Sequence, residues 1–188
     1  MIVFESISFK NFLSVGNNPV TIQLNQNKTT LVYGTNGSGK STLLDALCYA
    51  LFNKPFRPIN LPQLINSSNK KDLFVEIQFK IGKTKYMVAR GMKPKRFMIF
   101  RDGEELQAQA ADKDNQKYLE QNILKMNLKT FIQVVILGSS NYVPFMQLNA
   151  SARRDCIEDF LDIKVFSTMS LLAKDRLRTP TDRDWETT

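Results

Sequence analysis

The chain has 188 residues, of which 43% are hydrophobic, and this length and composition are those of one folded domain rather than of a disordered segment. It contains no histidine and only two cysteines, Cys48 and Cys156, which argues against a zinc site, a disulfide framework and a histidine-activated nucleophile within the chain. The formal charge of +8 favours a polyanionic partner such as nucleic acid, although a basic surface also serves solubility.

The N-terminal residues predict a β-hairpin. Residues 2–9 and 20–24 alternate apolar and polar side chains, and the sequence GNNP at residues 16–19 is a turn signal between them. The acidic Glu5 lies where a signal peptide would be basic or apolar, and the sequence has no apolar run of about eighteen residues. We therefore expect a cytoplasmic protein with no membrane span.

A third predicted strand, residues 29–33, leads into the glycine-rich sequence GTNGSGKS at residues 34–41, and residues 41–52 have helical periodicity. Strand, glycine loop and helix in this order predict a P-loop, in which the backbone wraps phosphates and the helix dipole attracts them. Lys40 would contact the β- and γ-phosphates, the Ser41 hydroxyl would ligate Mg²⁺, and Thr42 would contact the α-phosphate. The predicted nucleotide-binding residues are Asn36, Gly37, Ser38, Gly39, Lys40, Ser41 and Thr42.

Beyond this helix, prolines predict an irregular segment over residues 53–69, which includes Arg57. Three strand-like runs, 74–80, 84–90 and 96–100, predict an antiparallel meander, followed by a turn at Asp102-Gly103. A helix is expected over residues 112–128, and the apolar run at residues 131–137 is expected to form a buried strand that ends in a loop at 138–141.

The C-terminal part of the sequence is helical in pattern. Asn149 or Ser151 is expected to cap a helix that includes Ile157 and Leu161, and residues 165–178 continue with helical periodicity. Residues 179–188 contain Pro180 and have no apolar period, so we interpret them as an atypical tail that is disordered or non-native.

Several segments carry a resemblance to a known family. The P-loop region at residues 36–47 resembles the Walker A region of ABC and SMC-like DNA repair ATPases, and residues 9–14 resemble their first-strand signature. Four further segments resemble the SbcC-type subfamily, which includes a phage recombination nuclease subunit: KPFR at 54–57, QLIN at 63–66, YVPFM at 142–146 and ARR at 152–154. The resemblance covers about residues 1–178.

This resemblance implies an α/β P-loop NTPase of ABC-ATPase type, with a mixed sheet that contains the antiparallel meander. Residues 1–150 would form the N-terminal ATPase lobe and residues 151–178 would lead toward a coiled coil. ATP and Mg²⁺ would be the cofactors. The implied partners are double-stranded DNA, an SbcD-like nuclease subunit and a second copy of the ATPase, which places the protein on the nucleoid or on phage DNA.

In this family a C-terminal lobe supplies Walker B, the signature motif and the D-loop. Hydrolysis needs carboxylates that hold the metal and orient water, and no recognisable Walker B occurs in residues 1–188. We therefore assign no catalytic residue in this chain, and expect it to bind ATP weakly and to hydrolyse little on its own.

Two positions depart from the family pattern. Ungapped matching puts Ser139 where the family has the Q-loop glutamine that contacts Mg²⁺, while Gln133 lies six residues earlier, so both remain candidate metal ligands. Leu13 stands where cellular relatives commonly have an arginine, which puts a base or ribose contact there in doubt.

Basic residues are frequent on the predicted meander and suit sequence-independent contacts with DNA phosphates, the alternative being a solvated sheet face. They are Lys83, Lys85, Arg90, Lys93, Lys95, Arg96 and Arg101. The competing functional interpretations are another ATPase of the same class, RecF-like or chromosome-structuring, and a P-loop small-molecule kinase with its substrate pocket near Arg57.

Overall fold

The computed structural model describes residues 1–106, 112–136, 143–161 and 163–178, and in these residues one antiparallel sheet forms the framework. Its strands are β1 (Ile2–Lys10), β2 (Val20–Gln23), β3 (Leu73–Ile81), β4 (Thr84–Met92), β5 (Arg96–Arg101) and β6 (Glu104–Glu105). They lie in the order β2-β1-β3-β4-β5-β6. The predicted hairpin, the meander and the turn at Asp102-Gly103 are confirmed, and so is the α/β class.

The sheet buries one face because its strands alternate in polarity. In β3 the residues Leu73, Val75, Ile77 and Phe79 are all buried, while Gln78 between the last two is exposed. The register pairs Ile77 with Ile7 of β1 and with Val88 of β4, so apolar side chains lie side by side across three strands. Such cross-strand pairs fix the register, because a shift by one residue would turn the apolar set toward solvent.

Helix α1 (Thr42–Phe52) covers the buried face of the sheet, as the periodicity predicted. The helix is buried around most of its circumference. The ring of Tyr49 on this helix contacts Phe12, with centroids 5.8 Å apart, and the ring of Phe52 contacts Phe131, with centroids 5.1 Å apart. Cys48, on the same helix, is buried; burial, and to a lesser extent the nearby Asp45 carboxylate, raises its thiol pKa to about 12. This cysteine is an apolar core residue.

The prediction of a strand over residues 29–33 is wrong. These residues are irregular, and Leu31 and Tyr33 are 83% and 87% exposed. Strand-forming side chains produce a strand only where neighbouring backbones satisfy its N–H and C=O groups. Within the described residues no strand lies beside this segment, so the parallel part of the expected mixed sheet is not formed there.

The prediction of a strand over residues 131–137 is also wrong, because residues 128–134 form helix α3 (Leu128–Val134). The Asn127 side chain accepts a hydrogen bond from the backbone N–H of Thr130 (2.9 Å), which caps the helix. Phe131 packs against Phe4 and Phe52. The cap and this burial outweigh the strand propensity of the β-branched residues. The expected loop at 138–141 lies outside the described residues.

The helix predicted over residues 112–128 is shorter than expected. Helix α2 (Asp112–Tyr118) continues as a π-helical segment, Leu119–Leu124, which ends where Lys125 adopts a left-handed conformation. A single 3₁₀ turn, Leu61–Leu64, interrupts the irregular segment that follows α1.

The chain divides into two compact units, Met1–Tyr142 and Val143–Thr188. In the second unit a 3₁₀ turn, Phe145–Gln147, precedes helices α4 (Ala150–Phe160) and α5 (Lys164–Arg178). Of the two predicted caps Asn149 is the one used, because its side-chain oxygen accepts from the N–H of Ala152 (2.8 Å). None of the described helices has the length and apolar character needed to cross a membrane. Residues 179–188 are outside the described part.

A prediction for acid stability follows from an ion pair at one end of the sheet. Asp72 accepts a hydrogen bond from Lys10 (2.5 Å), and mainly for this reason its pKa lies below the ordinary value of 3.8. A depressed carboxyl pKa stabilises the fold above the ordinary pKa, and this contribution is lost as the pH falls through the lowered value. We expect Asp72→Asn to flatten the acid limb of the stability profile, as measured by urea unfolding from about pH 5 down to about pH 2.

The control for this experiment is Asp114→Asn, which changes an exposed aspartate on α2. If Asp72→Asn and wild type lose stability equally over this pH range, the ion pair makes no such contribution.

Candidate nucleotide-binding site

The glycine-rich loop joins the irregular segment 29–33 to the first turn of α1. Gly37 and Gly39 have φ angles of +85° and +92°, in the left-handed region that favours glycine. The N–H of Thr42 donates to the carbonyl of Gly39 (3.0 Å), so the helix begins directly where the loop ends. The loop therefore lies at the helix N-terminus, where the helix dipole attracts anions.

Two glycines of the loop lie close to serine side chains. A Cβ on Gly34 would lie 2.7 Å from the hydroxyl oxygen of Ser38, and one on Gly39 would lie 3.3 Å from that of Ser14. Ser38 thus packs inside the loop, whereas Ser14 approaches the loop from the β1–β2 connection. A side chain at Gly34 would therefore require Ser38 to shift, and one at Gly39 would press on Ser14.

Lys40 extends along the inside of the loop. Its Nζ donates to the backbone carbonyls of Gly34 (2.8 Å) and Thr35 (2.7 Å). These bonds hold the ammonium group at the concave side of the loop, where phosphate oxygens would accept the same hydrogen bonds with greater strength.

The loop, the start of α1 and two neighbouring segments enclose a cavity of about 410 Å³. It is lined by Leu13, Ser14, Asn36, Gly37, Gly39, Lys40, Ser41, Thr42 and Arg57. Six of the seven predicted nucleotide-binding residues come together here, and Ser38 is the exception. Among the lining residues that the structure describes, two are cationic and none is acidic. Cations, hydroxyls and a left-handed glycine cradle fit a polyphosphate with its Mg²⁺.

Arg57 reaches this cavity because Asp45 holds it. Asp45 is fully buried, with 0% exposure. Its carboxylate accepts hydrogen bonds from the Arg57 backbone N–H (3.0 Å) and from Arg57 Nε (2.7 Å). Arg57 Nη2 also lies 2.5 Å from Asp45 Oδ2. A buried carboxylate needs such a partner. Sequence reasoning missed this pair, although an aspartate among the apolar residues of α1 signals that a cation must lie opposite.

The segment that carries Leu13 and Ser14 is held by buried asparagines. Asn66 donates from its side chain to the carbonyl of Leu13 (2.8 Å), and the N–H of Leu13 donates to the carbonyl of Leu64 (2.7 Å). Asn11 and Leu13 both have φ of +50°, a conformation that is costly without such support. The asparagine bonds therefore fix the wall of the cavity opposite Gly39.

Of the two candidate Q-loop ligands, Gln133 lies among the described residues. Ser139 lies outside the described residues. Gln133 lies on α3, is not among the residues that line the cavity, and its Oε1 is buried without a hydrogen-bond partner in the described part of the chain. The structure therefore does not bring Gln133 to the P-loop.

The basic residues of the meander do not form one cluster. Lys83, Lys85 and Arg101 lie at one end of strands β4 and β5, and the group Lys93, Lys95 and Arg96 lies at the other end. The nine residues of β4 separate the two groups by roughly 25 Å. Arg90 belongs to neither, since it is buried with 5% exposure.

Comparisons with known proteins show which proteins this chain resembles. The family model described as AAA domain matches residues 6–178. Exonuclease subunit 2 of Escherichia phage RB69 is 42% identical over 172 residues, which cover 92% of this chain and 30% of that protein. A subunit of the nuclease SbcCD from Treponema pallidum is 25% identical over 160 residues, covering 77% and 15%. The chain thus spans less than a third of the length of these relatives.

A solved structure supports the fold. A chain from a study of ATP-driven dimerization and DNA-stimulated activation of SMC ATPases superposes with a TM-score of 0.56 at 22% identity, covering 84% of this chain and 99% of that one. At this identity the likeness concerns the fold alone. The fold of this chain, with its antiparallel sheet and the helix that follows the P-loop, is therefore similar to that of the SMC ATPase chain.

Proposed function

Since this chain belongs to the AAA-domain family as an SbcC-like ATPase, we propose that it forms the ATP-binding lobe of a DNA repair and recombination protein. In this proposal ATP joins two heads, and the joined state regulates an SbcD-like nuclease at DNA ends. The P-loop cavity at the start of α1 is the observation that carries the proposal. The family model and the exonuclease-subunit relative favour this proposal over the small-molecule kinase interpretation.

The residues of the cavity would contact different parts of a bound nucleotide triphosphate. The left-handed backbone at Gly37 and Gly39 allows N–H groups to wrap the phosphates, and Lys40 exchanges its loop carbonyls for phosphate oxygens. Ser41 would supply a hydroxyl to Mg²⁺, and Thr42 would supply one to the α-phosphate. Mg²⁺ would neutralise phosphate charge and so favour attack by water.

Arg57 supplies a second cation to this cavity. Asp45 holds its guanidinium, yet the Arg57 side chain remains 43% exposed, so it faces both a buried carboxylate and the cavity. A preorganised cation stabilises charge that develops on a phosphoryl group without costly rearrangement. We assign to Arg57 recognition of the triphosphate, and to Asp45 the positioning of Arg57.

Two observations support a composite site that a second lobe completes. The apolar residues Leu31, Val32 and Tyr33, directly before the loop, are exposed, and strands from another lobe would bury them and satisfy their backbone. The sequence contains no recognisable Walker B, so the carboxylates for hydrolysis would come from that lobe. On this proposal the 188-residue chain grips ATP but hydrolyses it slowly.

The proposed partners are double-stranded DNA, a nuclease subunit and a second head. The phage relative and the SbcCD relative are both named as subunits of nucleases, and the charge of +8 suits DNA. The SMC-type fold alone does not separate an SbcC-like protein from a chromosome-structuring one, but these sequence relatives favour the former.

The test uses the complete gene product beside the 188-residue chain. We expect ATP, but not ADP, to shift the complete protein from single to joined heads in mass photometry, and Lys40→Ala to abolish this shift. ATP hydrolysis by the 188-residue chain should be a small fraction of that of the complete protein. Head joining that ignores the nucleotide, or equal hydrolysis by the two proteins, would overturn the proposal.

A further inference from the structure

A second and larger cavity lies away from the P-loop. Its volume is about 680 Å³, and it lies between the C-terminal end of α1, the β4–β5 connection and helix α2. Tyr49 and Phe97 contribute aromatic surface to it. Its cationic lining residues include Lys93, Lys95, Arg96 and Lys117, all of them exposed.

The charged side chains that line this cavity are all basic, although Glu120 lies beside it as the acceptor of a hydrogen bond from Gln116. None of the described residues that line it is acidic. Asp72 lies nearby but is engaged by Lys10, and the charges of Arg96 and Lys71 help to lower its pKa, which shows that the basic group extends beyond the cavity. Like charges around a concave, low-dielectric surface concentrate a positive potential there.

The cavity is preformed, because buried hydrogen bonds join the elements that enclose it. Arg90 donates from Nε to the carbonyl of Ala50 on α1 (3.1 Å) and from Nη2 to Gln116 on α2 (2.6 Å), and it stacks on Phe97 of β5 at 3.8 Å from the ring centroid. Gln116 in turn donates to the carbonyl of Leu51 (3.0 Å). Helices and strands are thus fixed relative to each other beneath the basic rim.

The opposite end of the meander has a different charge pattern. There Lys83, Lys85 and Arg101 alternate with Asp102 and with the two glutamates of β6. Asp102 accepts from the backbone N–H of Lys85 (2.8 Å), which places its carboxylate among these cations. Mixed charges of this kind give a solvated surface rather than a concentrated potential.

From this asymmetry we propose that the cavity rimmed by Lys93, Lys95, Arg96 and Lys117 binds the phosphate backbone of DNA, and that the end of the meander with Lys83, Lys85 and Arg101 does not. This inference rests on the proposed function, and names the surface through which it contacts DNA. Exposed lysines suit DNA phosphates because their ammonium groups interact as point charges and do not depend on the base sequence. An acidic segment of a protein partner is the competing occupant.

The test compares two triple variants that remove the same number of charges, Lys93→Ala/Lys95→Ala/Arg96→Ala and Lys83→Ala/Lys85→Ala/Arg101→Ala. Binding of a fluorescein-labelled DNA duplex of mixed sequence is followed by anisotropy between about 50 and 200 mM salt. For the first variant we expect affinity to fall about tenfold or more, and the slope of log K against log salt to shrink by about 3. The second variant should behave as wild type.

A matched pair of single variants tests whether the cavity, rather than the turn alone, is the site. Lys117 lies on α2, across the cavity from the β4–β5 connection. Lys117→Ala should reduce the slope of log K against log salt by about 1. Lys129→Ala removes an exposed lysine of α3 that does not line the cavity, and should leave the slope unchanged. If the triple variant does not fold, as judged by circular dichroism, this pair carries the test.

The outcomes separate this inference from the proposed function. If wild type binds DNA but the two triple variants weaken equally, or the second weakens more, the inference is wrong and the proposed function stands. If neither the chain nor the complete protein binds DNA, the proposed function itself fails. If the first triple variant keeps its DNA affinity but loses binding to polyglutamate, the cavity takes an acidic protein segment and the inference is overturned.

Discussion

Lys40→Ala is expected to lower the affinity of the chain for ATP by about tenfold to a hundredfold, because it removes a charge-assisted hydrogen bond worth about 1.5–3 kcal/mol. The Nζ atom lies 2.8 and 2.7 Å from two loop carbonyls, so the ammonium group is already held where phosphates would meet it. Titration with a fluorescent ATP analogue, and the rise in melting temperature at saturating ATP, both measure the loss.

The control is Lys54→Ala, which removes an exposed lysine that does not line the P-loop cavity. Its ATP affinity should equal that of wild type. Since Lys40 also bonds the loop itself, melting without nucleotide must be compared as well, so that a change in loop stability is not mistaken for a change in binding. Equal ATP affinity of wild type and Lys40→Ala would refute the site.

Arg57→Ala is expected to lower the free energy of unfolding by about 3 kcal/mol, because it leaves the carboxylate of Asp45 buried without its cation. Arg57 itself is partly exposed, so most of the cost comes from the aspartate that stays behind. Urea unfolding at neutral pH measures the change. The same variant should bind ATP more weakly than wild type, since the cavity loses one of its two cations.

A double variant distinguishes this mechanism from a simple loss of contacts. When Asp45→Asn is combined with Arg57→Ala, no buried charge remains, so the double variant should be more stable than Arg57→Ala alone. It should nevertheless bind ATP as weakly as Arg57→Ala, because the guanidinium is absent from both. A double variant that is less stable than either single variant would contradict the buried-charge explanation.

Local sequence patterns predicted those elements whose partners are close in the chain. The hairpin of β1 and β2, the meander β3–β5 and helix α1 all follow from alternation, turn residues and helical spacing. The two failures have physical causes. Residues 29–33 have strand-forming side chains but no neighbouring strand among the described residues, and residues 131–134 continue a helix because Asn127 caps it.

In the candidate site too, only the residues that are close together in the sequence could be predicted from it. The P-loop is a contiguous motif, and six of its seven predicted residues line one cavity. Arg57 and Asp45 are twelve residues apart, and Asn66 meets Leu13 across 53 residues, so their contacts depend on how the chain returns to α1. No spacing rule connects such positions. A buried polar residue on an apolar face, such as Asp45, is the one local signal that a distant partner exists.

Helix α1 touches both cavities. Its first residues end the P-loop, while Tyr49 near its other end lines the basic cavity and Ala50 accepts a hydrogen bond from Arg90 beneath it. Eleven residues span only about 16 Å. Because one short helix lines both cavities, any free energy by which a ligand in one cavity changes binding in the other must be the same in either order of binding.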